Sequence, residues 1–164
     1  MSAEPLAIYL DDHLAGSVAA LNMMEELADV CRGRPLEAKL RTLHGEVSQE
    51  QNLLRELLAR IDGRANPLKQ ATAWVSEKLG EGKLALSARA HPELATLQGL
   101  ESLLLGLQGK LSLYRALADL APRDRRLEGD FHGLAEHTVL QQAMVENERL
   151  AAARTAFAGA GQPT

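Results

Sequence analysis

The chain has 164 residues, of which 46% are hydrophobic and 24% charged, a size and balance that suit one soluble domain with its own core. Aromatic residues make up only 3%, so that core has to be built from Leu and Ala. The formal net charge of -4, with no basic stripe interleaved with aromatics, argues against a nucleic-acid partner.

The first predicted element is a helix from about Pro5 to Val30. Leu10, Leu14, Ser17, Leu21, Met24 and Ala28 recur at helical spacing, and Val18 and Leu27 widen the stripe. Pro5 suits a first turn, where its missing N–H is not needed. Gly33 and Pro35 in CRGRP stop this helix and turn the chain. A second helix follows from about Leu36 to Ile61. Its stripe is Leu40, Leu43, Val47, Leu54, Leu57 and Ile61, and the one remaining position in the series is Glu50. The segment DGRANP ends it. LKQATAWVSEKL then predicts a shorter helix capped by Asn66, with Leu68, Ala71, Val75 and Leu79 on one side. Trp74 is expected to anchor this helix on the bundle, so that Trp74→Ala costs roughly 3 kcal/mol. GEGKLALSARAHP reads as irregular chain.

The third long helix is predicted from about Pro92 to Ala121. Leu97, Leu100, Leu104, Leu107, Leu111, Tyr114 and Ala118 form its main stripe, with Leu103, Leu113, Leu117 and Leu120 as a second. PRDRRLEGD interrupts, its Arg123–Arg126 stretch reading as a solvated loop. A fourth helix is predicted from about Asp130 to Phe157. The domain so defined is 1–157, and 158–164, AGAGQPT within it, reads as a frayed tail.

No segment shows sustained period-two alternation or a hairpin dipeptide between β-branched runs, so the fold class is all-α. Short loops make two antiparallel hairpins of helices one–two and three–four. The connection between helices two and three, about 30 residues with its own helix, is long enough to cross from one end of a bundle to the other. That permits an up-down-down-up four-helix bundle with a helical crossover.

With this architecture in view, the strings YLDDHLAG, AWVSEKLG and LLLGLQGKLSLYRAL resemble a group of uncharacterised bacterial ferritin-like proteins over most of the chain. The resemblance implies the ferritin-like order of helices and carries no activity. Ferritin-like oxidases hold two metal ions with a Glu from each of two helices and a Glu-x-x-His from each of the others. Here Arg41 stands three residues before His44, and Leu134 three before His137; no Glu-x-x-His occurs in the chain.

Pairing the helices about their loops assigns interior polar residues to three levels. One holds Glu26, His44, Glu101 and Glu148, the candidate ligands if a metal site exists. A second holds Glu50, Gln108 and Gln141. A third holds His13, Lys110, Tyr114 and His137. His13 and His137 read as boundary histidines and Tyr114 as core. Other chemistries find less. GEGKLALS lacks the spacing and preceding strand of a phosphate loop, no nucleophile elbow is present, and Cys31 stands near a helix end that raises a thiol pKa.

The leading expectation is therefore a non-catalytic ferritin-like bundle acting through binding or assembly, with no cofactor. The alternative is a ferritin-like metal-binding protein or oxidoreductase with a non-standard ligand set for iron or another divalent metal. A small-molecule pocket lined by interior polar residues is a third reading. A homodimer is expected, because the third helix is apolar over more of its circumference than one bundle face needs. The lone Cys31 excludes an intrachain disulfide, and no apolar run approaches the roughly 18 residues of a membrane span. MSAEPLAIYLDDH shows no secretion signal, so the expected location is cytoplasmic. Glu50 is expected to be a structural polar contact, with Gln108 and Gln141 as donors, and Glu50→Leu to be neutral to stabilising.

Overall fold

A computed structural model describes residues 3–62 and 90–158. Within them the chain is all-helical: α1 (Ala3–Val30), α2 (Pro35–Asp62), α3 (Pro92–Leu120), a 3-10 turn (Ala121–Arg123) and α4 (Phe131–Ala156), with no strand among the described residues. The predicted crossover helix, its Asn66 cap and Trp74, and the tail from 159 onward lie outside the described residues.

The ends of the helices follow from local chemistry. Gly33, at φ 79°, takes the left-handed conformation that lets α1 turn into α2. Its N–H donates to the Glu37 carboxylate at 2.7 Å, which secures the turn, and Arg41 holds the same carboxylate at 2.9 Å. Pro35 opens α2 rather than merely breaking α1, as first-turn proline does. Pro92 opens α3 in the same way. Asp130 caps α4, its carboxylate accepting the Gly133 N–H at 2.8 Å. The stretch read as a solvated loop has order of its own: Arg126 folds back on Asp124 at 2.5 Å, and Leu127 is buried.

Packing is closest between α3 and α4 and between α1 and α2, then between α1 and α3. Contacts at the helix ends set the levels. Cys31, just past α1, lies 3.8 Å from Thr96 near the start of α3. Gly99 lets Leu27 come close, since an added Cβ there would stand 3.0 Å from the Leu27 side chain. Arg34, just before α2, pairs with Glu93 in the first turn of α3 at 3.1 Å. Lys39 on α2 pairs with Glu148 on α4, and Arg60 with Glu128, just before α4, at 3.3 Å.

Two leucine-rich clusters fill the ends of the bundle. Leu10, Leu14, Leu58, Leu117 and Phe131 belong to one, and Met24, Leu27, Leu40, Leu100 and Val145 to the other. A fully buried leucine contributes roughly 1.5–3 kcal/mol of transfer free energy, so these clusters supply most of the drive to fold. The second stripe of α3 is absorbed here, with Leu103, Leu113 and Leu117 all buried. Leu105, 76% exposed, is what remains of the apolar surplus on that helix. No described helix is long and apolar enough to cross a membrane.

Candidate functional site

Between the two apolar clusters lies a polar layer centred on Glu50. Val47 and Leu54 flank it on the α2 stripe, and both are buried, so the helical phase carries the carboxylate inward with them. Glu50 is 6% exposed. A carboxylate so placed needs partners, and two helices, α3 and α4, supply them. Lys110 Nζ on α3 donates to Oε2 at 2.6 Å, and Tyr114, one turn later, donates its hydroxyl to the same oxygen at 2.9 Å. Gln141 Nε2 on α4 donates to Oε1 at 3.3 Å and to Glu46 Oε2 at 2.9 Å, while its Oε1 accepts from Lys110. His137, one turn before Gln141, sits 3.6 Å from Glu50 and 3.7 Å from Glu46.

The layer is thus three i, i+4 pairs on three helices: Glu46 and Glu50, Lys110 and Tyr114, His137 and Gln141. That spacing puts both members of each pair on one helix face. Burial lowers the Lys110 pKa, and the Glu50 charge opposes the shift. Burial first, and then Glu50, raises the pKa of Tyr114, so its phenol stays neutral and acts as the donor. On the α1 side Gln51 is buried and donates to Ser17 Oγ at 2.9 Å, and Ser17 donates onward to the Leu14 carbonyl at 2.6 Å.

A cavity of about 210 Å³ adjoins this layer, bounded by α1, α2 and α3 and open to solvent beside exposed Asp12, Gly16 and Gly106. Met24, Val47, Leu54, Leu103, Leu107 and Leu113 make apolar walls; Glu50, Lys110 and Tyr114 supply a polar floor, and His13 and Gln51 also line it. Gly16 on α1 and Gly106 and Gly109 on α3 leave the room: a Cβ added at any of them meets no atom within 4 Å. His13 stacks edge-on against Tyr9, ring centroids 4.6 Å apart, and burial lowers its pKa against the pull of Asp12.

The four candidate metal ligands are dispersed. Glu26 is exposed. His44 is half-buried, 3.1 Å from Glu25. Glu101 is exposed, 3.5 Å from Arg149, and Glu148 pairs with Lys39. Among the described residues no three His, Cys, Asp or Glu side chains are grouped to hold a metal ion, so this set does not fit the centre of the ferritin-like oxidases. Glu46, Glu50 and His137 meet, but Lys110 and Tyr114 engage the Glu50 carboxylate.

Of the three interior polar residues expected at one level, Glu50 and Gln141 are buried and bonded to each other. Gln108 is not with them. It is exposed and accepts from Gln142 at 3.1 Å, because it follows inward-facing Leu107 by one residue, about 100° around the helix. Lys110, Tyr114 and His137 belong to the Glu50 level rather than to a separate one. Levels counted along the backbone leave out the reach of long side chains. His13 does stand near Lys110 and Tyr114, across the cavity they line together.

Three buried polar residues escaped the stripe analysis: Gln51, Thr96 and Thr138. Both threonines satisfy their hydroxyls on the carbonyl four residues back, Thr96 on Pro92 at 2.8 Å and Thr138 on Leu134 at 2.7 Å. Cys31 is buried, and burial raises its thiol pKa, the direction expected for an inert thiol. No protein-family model, curated protein or solved structure matches this chain.

Proposed function

We propose that this protein is a non-catalytic, ferritin-like four-helix bundle that acts by binding, with the cavity between α1, α2 and α3 as its binding site. The observation that carries this reading is an apolar cavity laid against a polar floor whose carboxylate is already engaged. Glu50 accepts from Lys110, Tyr114 and Gln141 and is thereby committed to holding helices together, not to serving as a general base. An apolar pocket with a few convergent polar groups is the usual form of a small-molecule site. Assembly has less support than binding, because α3 keeps little exposed apolar surface beyond Leu105.

The ferritin-like part of the proposal is an up-down-down-up chain order. Its support is the pairing of Arg34 with Glu93 at one level and of Glu50 with Lys110 at the next, which α2 and α3 give when they run the same way. Spin labels at exposed Thr42 and Gln98, and at Ala59 and Arg115, should report short distances within each pair. A short distance from Thr42 to Arg115 instead would overturn the order.

The binding site is tested by thermal-shift screening of a panel of small organic compounds against the protein and against Gly106→Leu, which fills the cavity. Compounds that stabilise the parent and leave Gly106→Leu unmoved support the proposal. A panel that shifts neither protein, or both alike, overturns it. So does stoichiometric iron, manganese or zinc that is lost on replacing His44 and Glu101, which would favour the metal-binding alternative.

A further inference from the structure

Resting on the binding site proposed above, we infer that the cavity takes a small, uncharged, mostly apolar molecule bearing one hydroxyl or amide group, such as a phenol or an aryl alcohol, and discriminates against acids and amines of the same size.

Size comes first. A cavity of roughly 150 Å³ lined by aliphatic side chains holds benzene. At about 210 Å³, this one admits a six-membered ring with a few further heavy atoms. Its leucine, valine and methionine walls offer dispersion contacts and no hydrogen bonds, so most of the ligand surface must be apolar.

Charge decides the head group. Glu50 and Lys110 are 2.6 Å apart and together carry no net charge wherever their shared proton sits, and the other carboxylate of the lining, Asp12, is exposed, where water and salt screen it. Glu50 and Lys110 are both shielded from water, the Lys110 side chain being 13% exposed. A carboxylate entering the cavity would compete with Glu50 for Lys110 and leave one anion without a counter-charge. An ammonium would compete with Lys110 for Glu50 and leave one cation in the same position. Either outcome places an uncompensated charge in a shielded site, which is strongly disfavoured. An uncharged hydroxyl or amide avoids that cost.

The floor also has capacity for one such group. An ammonium offers three N–H donors, and Glu50 and Gln141 engage two at Lys110. The Tyr114 hydroxyl donates to Glu50, while its oxygen can still accept. A ligand hydroxyl can therefore accept from Lys110 and donate to Tyr114, and both residues line the cavity.

The experiment is a titration of the full chain, isotope-labelled at Leu, Val and Met methyl groups, with phenol, benzyl alcohol, benzoate and benzylamine. Phenol and benzyl alcohol should shift the methyl signals of Met24, Leu103 and Leu107 and bind at least tenfold more tightly than benzoate or benzylamine. Gly106→Leu, checked by circular dichroism to be folded, should lose these shifts. If benzoate or benzylamine binds as tightly as the neutral compounds at the same methyls, the inference about the head group is overturned and the pocket stands. If none of the four moves those methyls, or if Gly106→Leu responds unchanged, the pocket itself is overturned and the head-group inference with it.

Discussion

Around Glu50, side chains from two neighbouring helices close on one buried carboxylate, whereas around His44 similar residues pair off at the surface. His44 meets Glu25, Glu148 meets Lys39, and Glu101 meets an arginine already held by Glu146 at 2.7 Å. The difference is one of phase. Glu50 occupies a position in the α2 leucine stripe, between Val47 and Leu54. Glu26, His44 and Glu101 each stand next to an inward leucine: Leu27, Leu43 and Leu100. A displacement of one residue turns a side chain by about 100°, enough to exchange a low-dielectric interior for water. The same charges that form a rigid, shielded cluster in one layer are solvated in the other, where an ion pair contributes little.

The largest test of this contrast breaks the buried pair. Sequence alone suggested that Glu50→Leu would be neutral to stabilising. The structure changes that expectation, because Lys110 would be left as a buried cation without its counter-charge. Glu50→Leu is now expected to cost about 3–5 kcal/mol in urea denaturation, as loss of one partner from a buried pair does. Lys110→Met should cost a similar amount. The double variant, which removes both charges, should recover most of the loss and can exceed the parent. A double variant as unstable as the sum of its parts would show that the two residues do not act as a pair.

Next in size is the apolar end of the bundle. Leu100 is fully buried in the cluster that includes Leu27 and Val145, and Leu100→Ala should cost about 2–5 kcal/mol through lost transfer energy and a residual cavity. Unlike Glu50→Leu, this loss has no second substitution that repairs it by removing a charge. Equal rescue of both by Lys110→Met would erase the distinction between the layers.

A smaller effect separates the cavity lining from the surface by pH. Burial holds the His13 pKa below its ordinary value of 6.5. Between the folded and unfolded pKa values the unfolded chain binds the proton more readily, so stability falls as pH drops through 6.5 and levels off below the folded value. Urea midpoints measured from pH 7.5 to 5 should therefore decline more steeply for the parent than for His13→Gln. Parallel profiles would place His13 in solvent and outside the shielded region.

Much of the fold was legible in the sequence. The four long helical patterns, the Gly33 turn and the Asp130 start of α4 come from local rules that the tertiary structure leaves intact. The site was legible in part. The stripe showed Glu50 facing inward, and the helix pairing found Gln141. Lys110 and Tyr114 were placed near the right depth but on a separate level, since their reach past a helical turn is a property of side-chain length, not of spacing. Gln108 was drawn inward because depth along the bundle was weighed without phase around α3. A pocket within the bundle was among the readings but its place was not, although Gly16, Gly106 and Gly109 carry its signal. Two helices lacking side chains at facing positions leave space, and which positions face is fixed only when the helices pack.

The smallest predicted effect is at Glu101, and it tests the surface half of the comparison. Glu101 is exposed and stands 3.5 Å from Arg149. Arg149 keeps two shorter hydrogen bonds, at 2.7 and 2.8 Å, to Glu146 on its own helix. Glu101→Gln therefore strands no charge and opens no cavity, and exposed ion pairs of this kind are worth little because water and salt screen them. The expected change is about 0.5 kcal/mol or less in urea denaturation. Glu50→Gln, which also exchanges a carboxylate for an amide, should be clearly worse, because it leaves Lys110 without a counter-charge. A loss at Glu101 as large as that at Glu50, accompanied by release of a bound metal ion, would make the His44 layer a site in its own right and reverse the contrast between the two regions.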